Sequence, residues 1–319
     1  MKRKVASLDV VCFGEILWDI YETEPRRLRM ELGGAPANVA TDLARVGIRS
    51  AVVGGIGRDR FGVALEKHLA DDGVDTRHLI RLPNRTGLTF VKRDPRGEPS
   101  FLFYRHETAD VSVRAEHITP AMGRARWGLV GTSTLMSPGL RRATSRFVKL
   151  LRREKGHLVV DLNVRAHMWR DKDEMKRRVS KLVRHATLIK ASAADLKALS
   201  GSREKDGLLF LAKHAPGTPV VLTRGEKPAV AFFEGGKVEA PAVRTRCIDA
   251  TGAGDAFIAG VLAVLVRKDA RPGSAAWTDK AVWMRALYVG HGLGAKAVSN
   301  IGSVSGLTGL GAIRAKIGG

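Results

Sequence analysis

Short apolar runs alternate with helix-like segments along about 250 residues of the chain, and this alternation limits the folds that the chain can adopt. It predicts an α/β fold in which a largely parallel sheet carries helices on both faces. We predict strands at residues 8–14, 50–54, 76–82, 127–131, 157–162, 188–190 and 220–223, a late hairpin at 230–233 and 237–240, and helices at 36–46, 61–72, 253–266 and 279–297.

Two segments depart from this alternation. Residues 86–92 and 100–105 are rich in β-forming side chains and flank Asp94-Pro95-Arg96-Gly97, which is the pattern of a hairpin. Residues 15–32 are polar and irregular. We expect the segments at about 15–32 and 86–110 to form a small β lid inserted in the core of a single domain, 1–319, because no composition shift marks a linker.

The formal net charge of the chain is +22, from 54 Lys and Arg against 32 Asp and Glu. Residues 123–190 hold 18 of the basic and 5 of the acidic residues, which amounts to +13. The basic runs are spaced among apolar residues as on the outer faces of amphipathic helices, so solvated helix faces are the favoured interpretation. A nucleic-acid or membrane surface is the alternative, but no zinc-finger or RNA-recognition signature accompanies these runs.

Composition and local pattern disfavour several protein classes. A transmembrane helix needs about 18 consecutive apolar residues, and no such uncharged run is present. Met1-Lys2-Arg3-Lys4 is basic, but Asp9 and Glu15 interrupt the apolar run behind it, unlike a secretory signal. Cys12 and Cys247 cannot build a disulfide framework or a zinc site, so we expect a cytoplasmic protein.

The first glycine-rich loop, residues 54–62, matches a dinucleotide-binding fingerprint only in part. It contains Gly55-x-Gly57 but has Arg60 where the fingerprint requires a third glycine. No Gly-Lys-[Ser/Thr] Walker loop follows a strand anywhere in the chain. A nicotinamide-dependent oxidoreductase and a P-loop NTPase are therefore disfavoured.

A second glycine-rich segment, Asp249-Ala250-Thr251-Gly252-Ala253-Gly254-Asp255-Ala256-Phe257, opens a predicted helix. Small residues allow the backbone to approach an anion closely, and the free N–H groups at a helix start favour a phosphoryl group. A carboxylate in the first turn, Asp255, is placed to accept the proton of an attacking hydroxyl. In isolation, however, such a segment is more often an ordinary turn.

The order of motifs along the chain resembles that of the ribokinase-like (PfkB) sugar kinases. Gly33-Gly34-Ala35-Pro36-Ala37-Asn38-Val39-Ala40 resembles the first signature of that family, and residues 249–262 resemble the second. The resemblance covers essentially the whole chain, including the lid hairpin. It implies a ribokinase-like fold and an ATP-dependent carbohydrate kinase.

The resemblance also implies roles for individual residues. Asp255 is similar to the catalytic base, and Gly252, Ala253 and Gly254 are similar to the anion hole for the γ-phosphoryl group. The positions similar to the sugar-binding residues are Asp19, Gly33, Gly34 and Asn38. The residue types agree, because a carboxylate and an amide bind adjacent hydroxyls well.

On the nucleotide side, Thr223-Arg224-Gly225 is similar to the adenosine-site loop of the family, and Lys190 and Ser192 are included among the expected nucleotide-binding residues. Ser192-Ala193-Ala194-Asp195 stands where the family has Asn-x-x-Glu, a motif that organises Mg²⁺ and phosphates. Aspartate is one methylene shorter than glutamate, so we expect Asp195 to reach Mg²⁺ through water. The positions similar to a monovalent-cation (K⁺) site of the family are Asp249, Thr251, Gly302 and Ser303.

Three local strings bear on the choice of sugar: Trp18-Asp19, residues 103–110 and residues 161–169. They resemble fructokinases and 2-keto-3-deoxygluconate kinases more than ribokinase or adenosine kinase. Arg105 and Arg165 are expected to bind hydroxyls or a carboxylate, although salt bridges are the alternative. Asp110 favours fructokinase, because a carboxylate near the sugar would repel an acidic substrate.

We therefore predict an ATP- and Mg²⁺-dependent kinase that phosphorylates a primary hydroxyl of a sugar, most simply fructose. The alternatives are a 2-keto-3-deoxygluconate kinase, another ribokinase-like kinase, or a non-catalytic nucleic-acid-binding protein on the same fold. The expected partners are a small sugar and ATP, without a membrane, and nucleic acid is disfavoured despite the charge. A homodimer through the exposed lid sheet is also expected.

Overall fold

A computed structural model describes residues 8–24, 26–94, 96–201 and 203–318. Two parts of the sequence predictions lie outside the described residues: the basic start Met1-Lys2-Arg3-Lys4, and Pro95 in the predicted hairpin turn. The strands are β1 (Leu8–Phe13), β2 (Leu17–Glu24), β3 (Arg27–Gly33), β4 (Ser50–Val53), β5 (Gly55–Gly57), β6 (Ile80–Leu82), β7 (Gly87–Arg93), β8 (Pro99–Tyr104), β9 (Ala125–Gly131), β10 (His157–Asp161), β11 (Leu188–Ser192), β12 (Val220–Arg224), β13 (Lys227–Phe233) and β14 (Gly236–Ala240).

Within these residues, eight strands form a central sheet in the order β14-β13-β12-β11-β10-β9-β1-β4. The pairs from β4 to β12 are parallel, and β13 and β14 add an antiparallel edge. This arrangement confirms the predicted α/β class. The helices are α1 (Ala35–Arg45), α2 (Arg60–Asp71), α3 (Pro138–Arg153), α4 (Lys172–Val183), α5 (Ala193–Ser200), α6 (Glu204–His214), α7 (Ala253–Arg267), α8 (Ala275–Thr278), α9 (Lys280–Ala297) and α10 (Gly311–Gly318).

Alternate side chains of each central strand enter two separate hydrophobic cores, one on each face of the sheet. In β1, Val10 and Cys12 belong to the core that contains α1, α7 and α9, whereas Val11 and Phe13 belong to the core beneath α3 and α4. This alternation follows from the two-residue period of a strand. Because both faces are covered, residues Val10–Phe13 of β1 form a continuous apolar run, which is why the sequence pattern identified the strand.

A separate four-stranded sheet, in the order β3-β2-β7-β8, forms the lid. The hairpin predicted near residues 86–106 is present as β7 and β8, which pair antiparallel. The description of residues 15–32 as irregular was wrong, because β2 and β3 pair antiparallel there, with one shift of register between Glu22 and Glu24. The two strands do not stand out in the sequence, because the exposed half of this hairpin is polar at Glu22, Glu24 and Arg27.

The described elements match most of the predicted boundaries, with one clear exception. The run predicted as a strand at 76–82 is extended only from Ile80 to Leu82, where β6 pairs with β5. In the described part of the chain, no helix combines the length and apolar character that crossing a bilayer requires.

Candidate active site

A cavity of about 250 Å³ lies between the lid and the carboxyl edge of the central sheet. Parallel strands end along one edge, so the side chains that follow them converge there. The first turn of α7 closes one side of the cavity, and β2, β7 and β8 of the lid cover it. The side chains that matter for its chemistry are Glu15, Asp19, Asn38, Phe101, Phe103, Arg105, Ser133, Asp161, Arg165, Lys190 and Asp255.

The carboxylate of Asp255 lies in the first turn of α7 and is buried. The side-chain amide of Asn38 donates a hydrogen bond to Asp255 Oδ2 at 2.8 Å. Burial, together with the neighbouring charge of Asp161, raises the pKa of Asp255 to about 7, although Asn38, Lys190 and Arg165 act in the opposite direction. A carboxyl group with this pKa accepts protons effectively near neutral pH.

The start of α7 is shaped by glycines. Gly252 precedes the helix with φ of 77°, a left-handed conformation, and a Cβ atom there would lie 2.6 Å from the backbone of Ser303. A Cβ atom on Gly254 would lie 2.9 Å from Nζ of Lys190. The Lys190 ammonium therefore stands directly against the helix start, so the predicted anion hole has a cation beside its backbone N–H groups.

Lys190 is held in place by a buried ion pair with Asp161, in which Lys190 Nζ and Asp161 Oδ1 are 3.1 Å apart. Burial alone would lower the pKa of Lys190, but the carboxylates of Asp161, Asp195 and Asp255 outweigh it, and the pKa is raised. The raised pKa keeps Lys190 charged at neutral pH, and a buried cation at this position can bind a phosphoryl group through charge-assisted hydrogen bonds.

On the lid side, Asp19 of β2 lines the cavity. Burial, with added repulsion from Asp249 and Asp255, raises its pKa to about 8, against the attraction of Arg165 and Arg105. A Cβ atom on Gly33 would lie 2.6 Å from Asp19 Cγ, so glycine is required for the carboxylate to occupy this position.

The side chain of Asn38 connects α1 to the start of α7 and to the loop that contains Ser303. Its Oδ1 atom lies 2.9 Å from the hydroxyl of Ser303, and its Nδ2 atom donates to Asp255. The Ser303 hydroxyl is also 2.8 Å from the carbonyl oxygen of Leu32. Gly34, which precedes α1 at φ of 100°, lines the cavity next to Asn38.

Arg105 lines the cavity, but Asp110 does not belong to its lining. Arg105 Nε donates to Asp110 Oδ2 at 2.7 Å, and Thr108 Oγ1 donates to Asp110 Oδ1 at 2.6 Å. The side chain of Asp110 is fully buried behind the arginine. The expectation that Asp110 contacts the sugar is therefore corrected to an ion pair that positions Arg105.

Arg165 reaches the cavity from the loop after β10 and lies over the Phe101 ring, with 5.1 Å between Cζ and the ring centroid. In β8, Phe101 and Phe103 turn towards the cavity while Leu102 and Tyr104 are exposed on the other face. The two-residue period of the strand thus gives the lid one ligand-facing and one outward-facing surface.

Ser192 and Asp195 form a capping box at the start of α5. Asp195 N donates to Ser192 Oγ at 3.1 Å, and Ser192 N donates to Asp195 Oδ2 at 2.7 Å. Asp195 Oδ1 accepts a further hydrogen bond from Val164 N at 2.6 Å. These bonds assign Asp195 a structural role, and neither residue belongs to the lining of the cavity.

Thr223 and Gly225 lie beside Ser192 along the carboxyl edge of the sheet. Ser192 of β11 is in register with Thr223 of β12, and Gly225 follows that strand at φ of 64°. Neither Thr223 nor Gly225 lines the 250 Å³ cavity. The four expected nucleotide-binding positions therefore divide: Lys190 enters the cavity, whereas Ser192, Thr223 and Gly225 continue from it along the sheet edge.

The residues expected at a monovalent-cation site come from two loops that meet. Asp249 Oδ1 accepts a hydrogen bond from Thr251 N at 2.9 Å, and Asp249 Oδ2 accepts one from Gly302 N at 3.0 Å. Asp249 and Ser303 are fully buried. Across the described ranges, no group of three or more His, Cys, Asp or Glu side chains is arranged to hold a metal ion.

Reasoning from the sequence missed several side chains of the cavity. Asp161 stands at the end of β10, within the string 161–169, but only Arg165 of that string was named as a site residue. Glu15 and Ser133, which are joined by a 2.7 Å hydrogen bond from Ser133 Oγ, were also missed. The position of Asp161 at a strand end was the available signal, because polar residues that follow buried strands converge at this edge.

The sequence model of the pfkB family, described as carbohydrate kinases, matches residues 7–308. The chain belongs to this family. The resemblance inferred from the two glycine-rich signatures is thereby confirmed, as is the assignment to carbohydrate kinases.

Individual pfkB-family proteins resemble the chain along nearly its full length. The fructokinase of Vibrio alginolyticus is 32% identical over 305 residues, which cover 92% of this chain and 94% of the relative. The structure of the Vibrio cholerae O395 fructokinase with fructose, ADP and a calcium ion has a TM-score of 0.85 at 29% identity, covering 97% and 99% of the two chains. The aminoimidazole riboside kinase of Salmonella enterica, with its riboside and an ATP analogue, has a TM-score of 0.84 at 26% identity, covering 97% and 100%.

Proposed function

We propose that this pfkB-family kinase transfers the γ-phosphoryl group of ATP to a primary hydroxyl of fructose. The single observation that carries the proposal is the buried carboxylate of Asp255, which lies beside Lys190 and the glycine-rich start of α7 in a lid-covered cavity. Fructokinases of similar length and fold support fructose as the acceptor.

In this mechanism, Asp255 takes the proton of the attacking hydroxyl while the oxygen forms a bond to the γ-phosphorus. The bond from that phosphorus to the β–γ bridging oxygen breaks, and its electron pair leaves with ADP. Asn38 holds the Asp255 carboxylate by the 2.8 Å hydrogen bond, so its free oxygen is oriented for proton transfer. Lys190 and the N–H groups of residues 252–255 stabilise the charge of the phosphoryl group.

The expected Mg²⁺ would be held mainly by the phosphates of ATP, because the described residues provide no three-residue metal cluster of His, Cys, Asp or Glu. Asp195 lies outside the cavity lining and both its oxygens accept backbone hydrogen bonds, so it would contact the ion through a metal-bound water. When bound, the ion neutralises phosphate charge. A K⁺ ion is proposed between the loops of Asp249 and Gly302, supported by the buried carboxylate that joins them.

The charges around the cavity favour a neutral sugar over a sugar acid. Arg105 already pairs with Asp110, and Glu15 adds a carboxylate to the same wall, whereas the raised pKa of Asp19, about 8, keeps that group mostly protonated at neutral pH. A substrate carboxylate would therefore have Arg165 as a cation but would face the carboxylate of Glu15. This balance replaces the earlier reason for preferring fructose, which placed Asp110 itself against the sugar.

A coupled assay of ADP release tests the proposal, with fructose, 2-keto-3-deoxygluconate, ribose, adenosine and aminoimidazole riboside as acceptors. Fructose should give the highest kcat/KM, at least about tenfold above each of the others, since a buried polar site strongly rejects an ill-matched ligand. A higher kcat/KM for the sugar acid or for either nucleoside would refute the choice of substrate. ADP release that fails with every sugar would refute the kinase assignment.

We also propose that two copies of the chain associate through the outer face of the lid. That face exposes large apolar side chains, namely Leu28, Met30, Phe90, Leu102 and Tyr104. A row of exposed apolar residues on a sheet with free edges is suited to pairing with a second copy. Light scattering after gel filtration should give the dimer mass for the natural chain and the monomer mass for Leu102→Glu, and a monomer for both would overturn the proposal.

A further inference from the structure

A groove of about 680 Å³ lies between α3 and α4, and its lining shares no residue with the cavity of the proposed active site. Its floor is apolar and includes Val148 and Leu182. In the described chain, its walls carry one acidic side chain, Glu174, and six Lys or Arg side chains, which gives a formal charge of +5. These six are Arg141, Lys149 and Arg152 from α3, and Arg177, Arg178 and Lys181 from α4.

Most of this charge is not compensated by the protein. Glu174 pairs with Arg178, and Asp171 is 3.5 Å from Arg177 at the exposed end of α4. Lys149 and Lys181 form no ion pair with any carboxylate of the described chain. Cations that face each other from two packed helices repel one another, and a bound anion would relieve that repulsion.

Two of the guanidinium groups make hydrogen bonds to the walls of the groove, Arg178 in a largely covered position and Arg152 in an exposed one. Arg178 Nη1 donates to the carbonyl oxygens of Leu135 at 2.9 Å and Met136 at 3.1 Å, and only 18% of its side chain is exposed. Arg152 Nη1 donates to His185 Nδ1 at 3.0 Å across the groove. Arg178, which is held by two hydrogen bonds, therefore loses little conformational freedom when it binds a ligand.

The chemistry of the groove favours phosphate groups. Guanidinium groups match phosphate oxygens in a bidentate geometry, and four of the six cations are arginines. The volume lies in the range of sites for small molecules, which is about 300–1,000 Å³. No Phe, Tyr or Trp side chain lines the groove, so the stacking platform that single-stranded nucleic acids require is absent from its walls. We propose that the α3–α4 groove binds a small anion with two or more phosphate groups.

The groove adjoins the proposed active site through one short segment, Thr132–Met136. Leu135 lines the groove, whereas Thr132, Ser133 and Met136 line the substrate cavity. Arg178 contacts the segment from the groove side by its two hydrogen bonds to carbonyl oxygens. An anion that binds Arg178 in place would compete with these carbonyl oxygens for its N–H groups, so the proposal includes coupling between the groove and the wall of the substrate cavity.

Binding is tested with inorganic tripolyphosphate as the probe, by calorimetry on the full chain saturated with a non-hydrolysable ATP analogue. The test variant is Lys149→Glu/Arg152→Glu. The matched control is Arg142→Glu/Arg153→Glu, which changes the same charge on exposed positions of α3 outside the groove. Affinity should fall by about tenfold or more in the test variant, because two charge-assisted contacts are lost, and should stay within about twofold in the control.

An equal loss of tripolyphosphate affinity in both variants would show that the anion responds only to diffuse surface charge, and this would overturn the proposal. Unchanged affinity in both variants would also overturn it. A 20-nucleotide dT oligomer is the second probe. Tight, groove-dependent binding of this oligomer without tripolyphosphate binding would support a nucleic-acid surface instead. Thermal unfolding of both variants establishes that each one is folded.

The coupling rests on the proposed function and is measured separately, as the KM for fructose at saturating ATP. Tripolyphosphate should change this KM in the natural chain and the control, and should leave it unchanged in Lys149→Glu/Arg152→Glu. A change that persists in the test variant would assign the effect to the active site and overturn the coupling. If the chain does not phosphorylate fructose, the calorimetric result still decides whether the groove binds the anion.

Discussion

Replacement of Asp255 by Asn removes the proposed base while preserving the shape of the side chain. Asparagine Oδ1 can still accept the hydrogen bond from Asn38, so the start of α7 should keep its structure. General-base catalysis contributes about 10²- to 10⁴-fold, and kcat with fructose should fall by that factor while the Kd for ATP stays within about twofold. In the natural enzyme, kcat/KM should decline below pH of about 7, where Asp255 becomes protonated.

The same substitution should make the protein more stable at neutral pH. Folding raises the pKa of Asp255 from its ordinary 3.8 to about 7. This group therefore adds stability that is fully present below pH of about 4 and is lost as pH rises towards 7, because the folded chain retains a proton that the unfolded chain releases. At about 1.4 kcal/mol per pH unit, the gain for Asp255→Asn reaches about 4 kcal/mol above pH 7 and vanishes below pH 4.

The matched control is Asp42→Asn in α1. Asp42 is also fully buried, and burial followed by repulsion from Asp255 raises its pKa well above the ordinary value, but Asp42 does not line the cavity. Replacement of Asp42 by Asn should stabilise the protein by an amount that grows as pH rises, and it should leave kcat unchanged. Near-natural turnover in Asp255→Asn would refute the catalytic assignment. If Asp255→Asn and the natural chain had the same unfolding free energy at pH 8, as they should at pH 4, the burial argument would be refuted.

Three further substitutions separate binding, positioning and structure. Asp110→Asn should raise the KM for fructose with little change in kcat, because Arg105 loses its ion pair but Asp255 is untouched; steady-state kinetics would contradict this if kcat fell alone. Lys190→Met should weaken ATP binding by about tenfold or more in a fluorescence titration. It should also destabilise the fold by about 3–5 kcal/mol in urea unfolding, since Asp161 is left buried without its cation, and unchanged stability would oppose that account. Asp195→Ala should cost about 1 kcal/mol of stability, because the backbone N–H groups of Ser192 and Val164 lose the carboxylate that accepts their hydrogen bonds in the capping box. An unchanged Mg²⁺ dependence of kcat in that variant would remove the proposed metal role and leave only the cap.

Much of the fold was predictable because local pattern and tertiary environment agree in its central strands. β1 and β9 are largely buried on both faces, so each contains an uninterrupted apolar run, Val10–Phe13 and Trp127–Val130, and a glycine comes directly after each run. The hairpin of β7 and β8 was predictable from its turn residues. The pair β2 and β3 was not, because its outer half faces solvent and carries charged residues whose pattern does not distinguish a strand from a loop.

The proposed active site was predictable where backbone geometry restricts residue type. Gly252 must be glycine because it has a left-handed conformation and lies against Ser303, so this requirement is visible in the sequence as a glycine. The role of Asp110 cannot be recognised from its residue type. A carboxylate that contacts substrate and one that orients an arginine are the same residue type, and only the 2.7 Å hydrogen bond to Arg105 distinguishes them.

The sequence by itself determined the α/β class, the kinase family and the helix start that presents Asp255, because each depends on residue type over short stretches. Only the tertiary structure decided which charges meet. It placed Lys190 and Asp161 from neighbouring strands in one buried pair, put Asp110 behind Arg105, and set the basic faces of α3 and α4 on either side of one groove. Coulomb energies depend on distance and burial, and for residues far apart in the chain these are known only once it has folded.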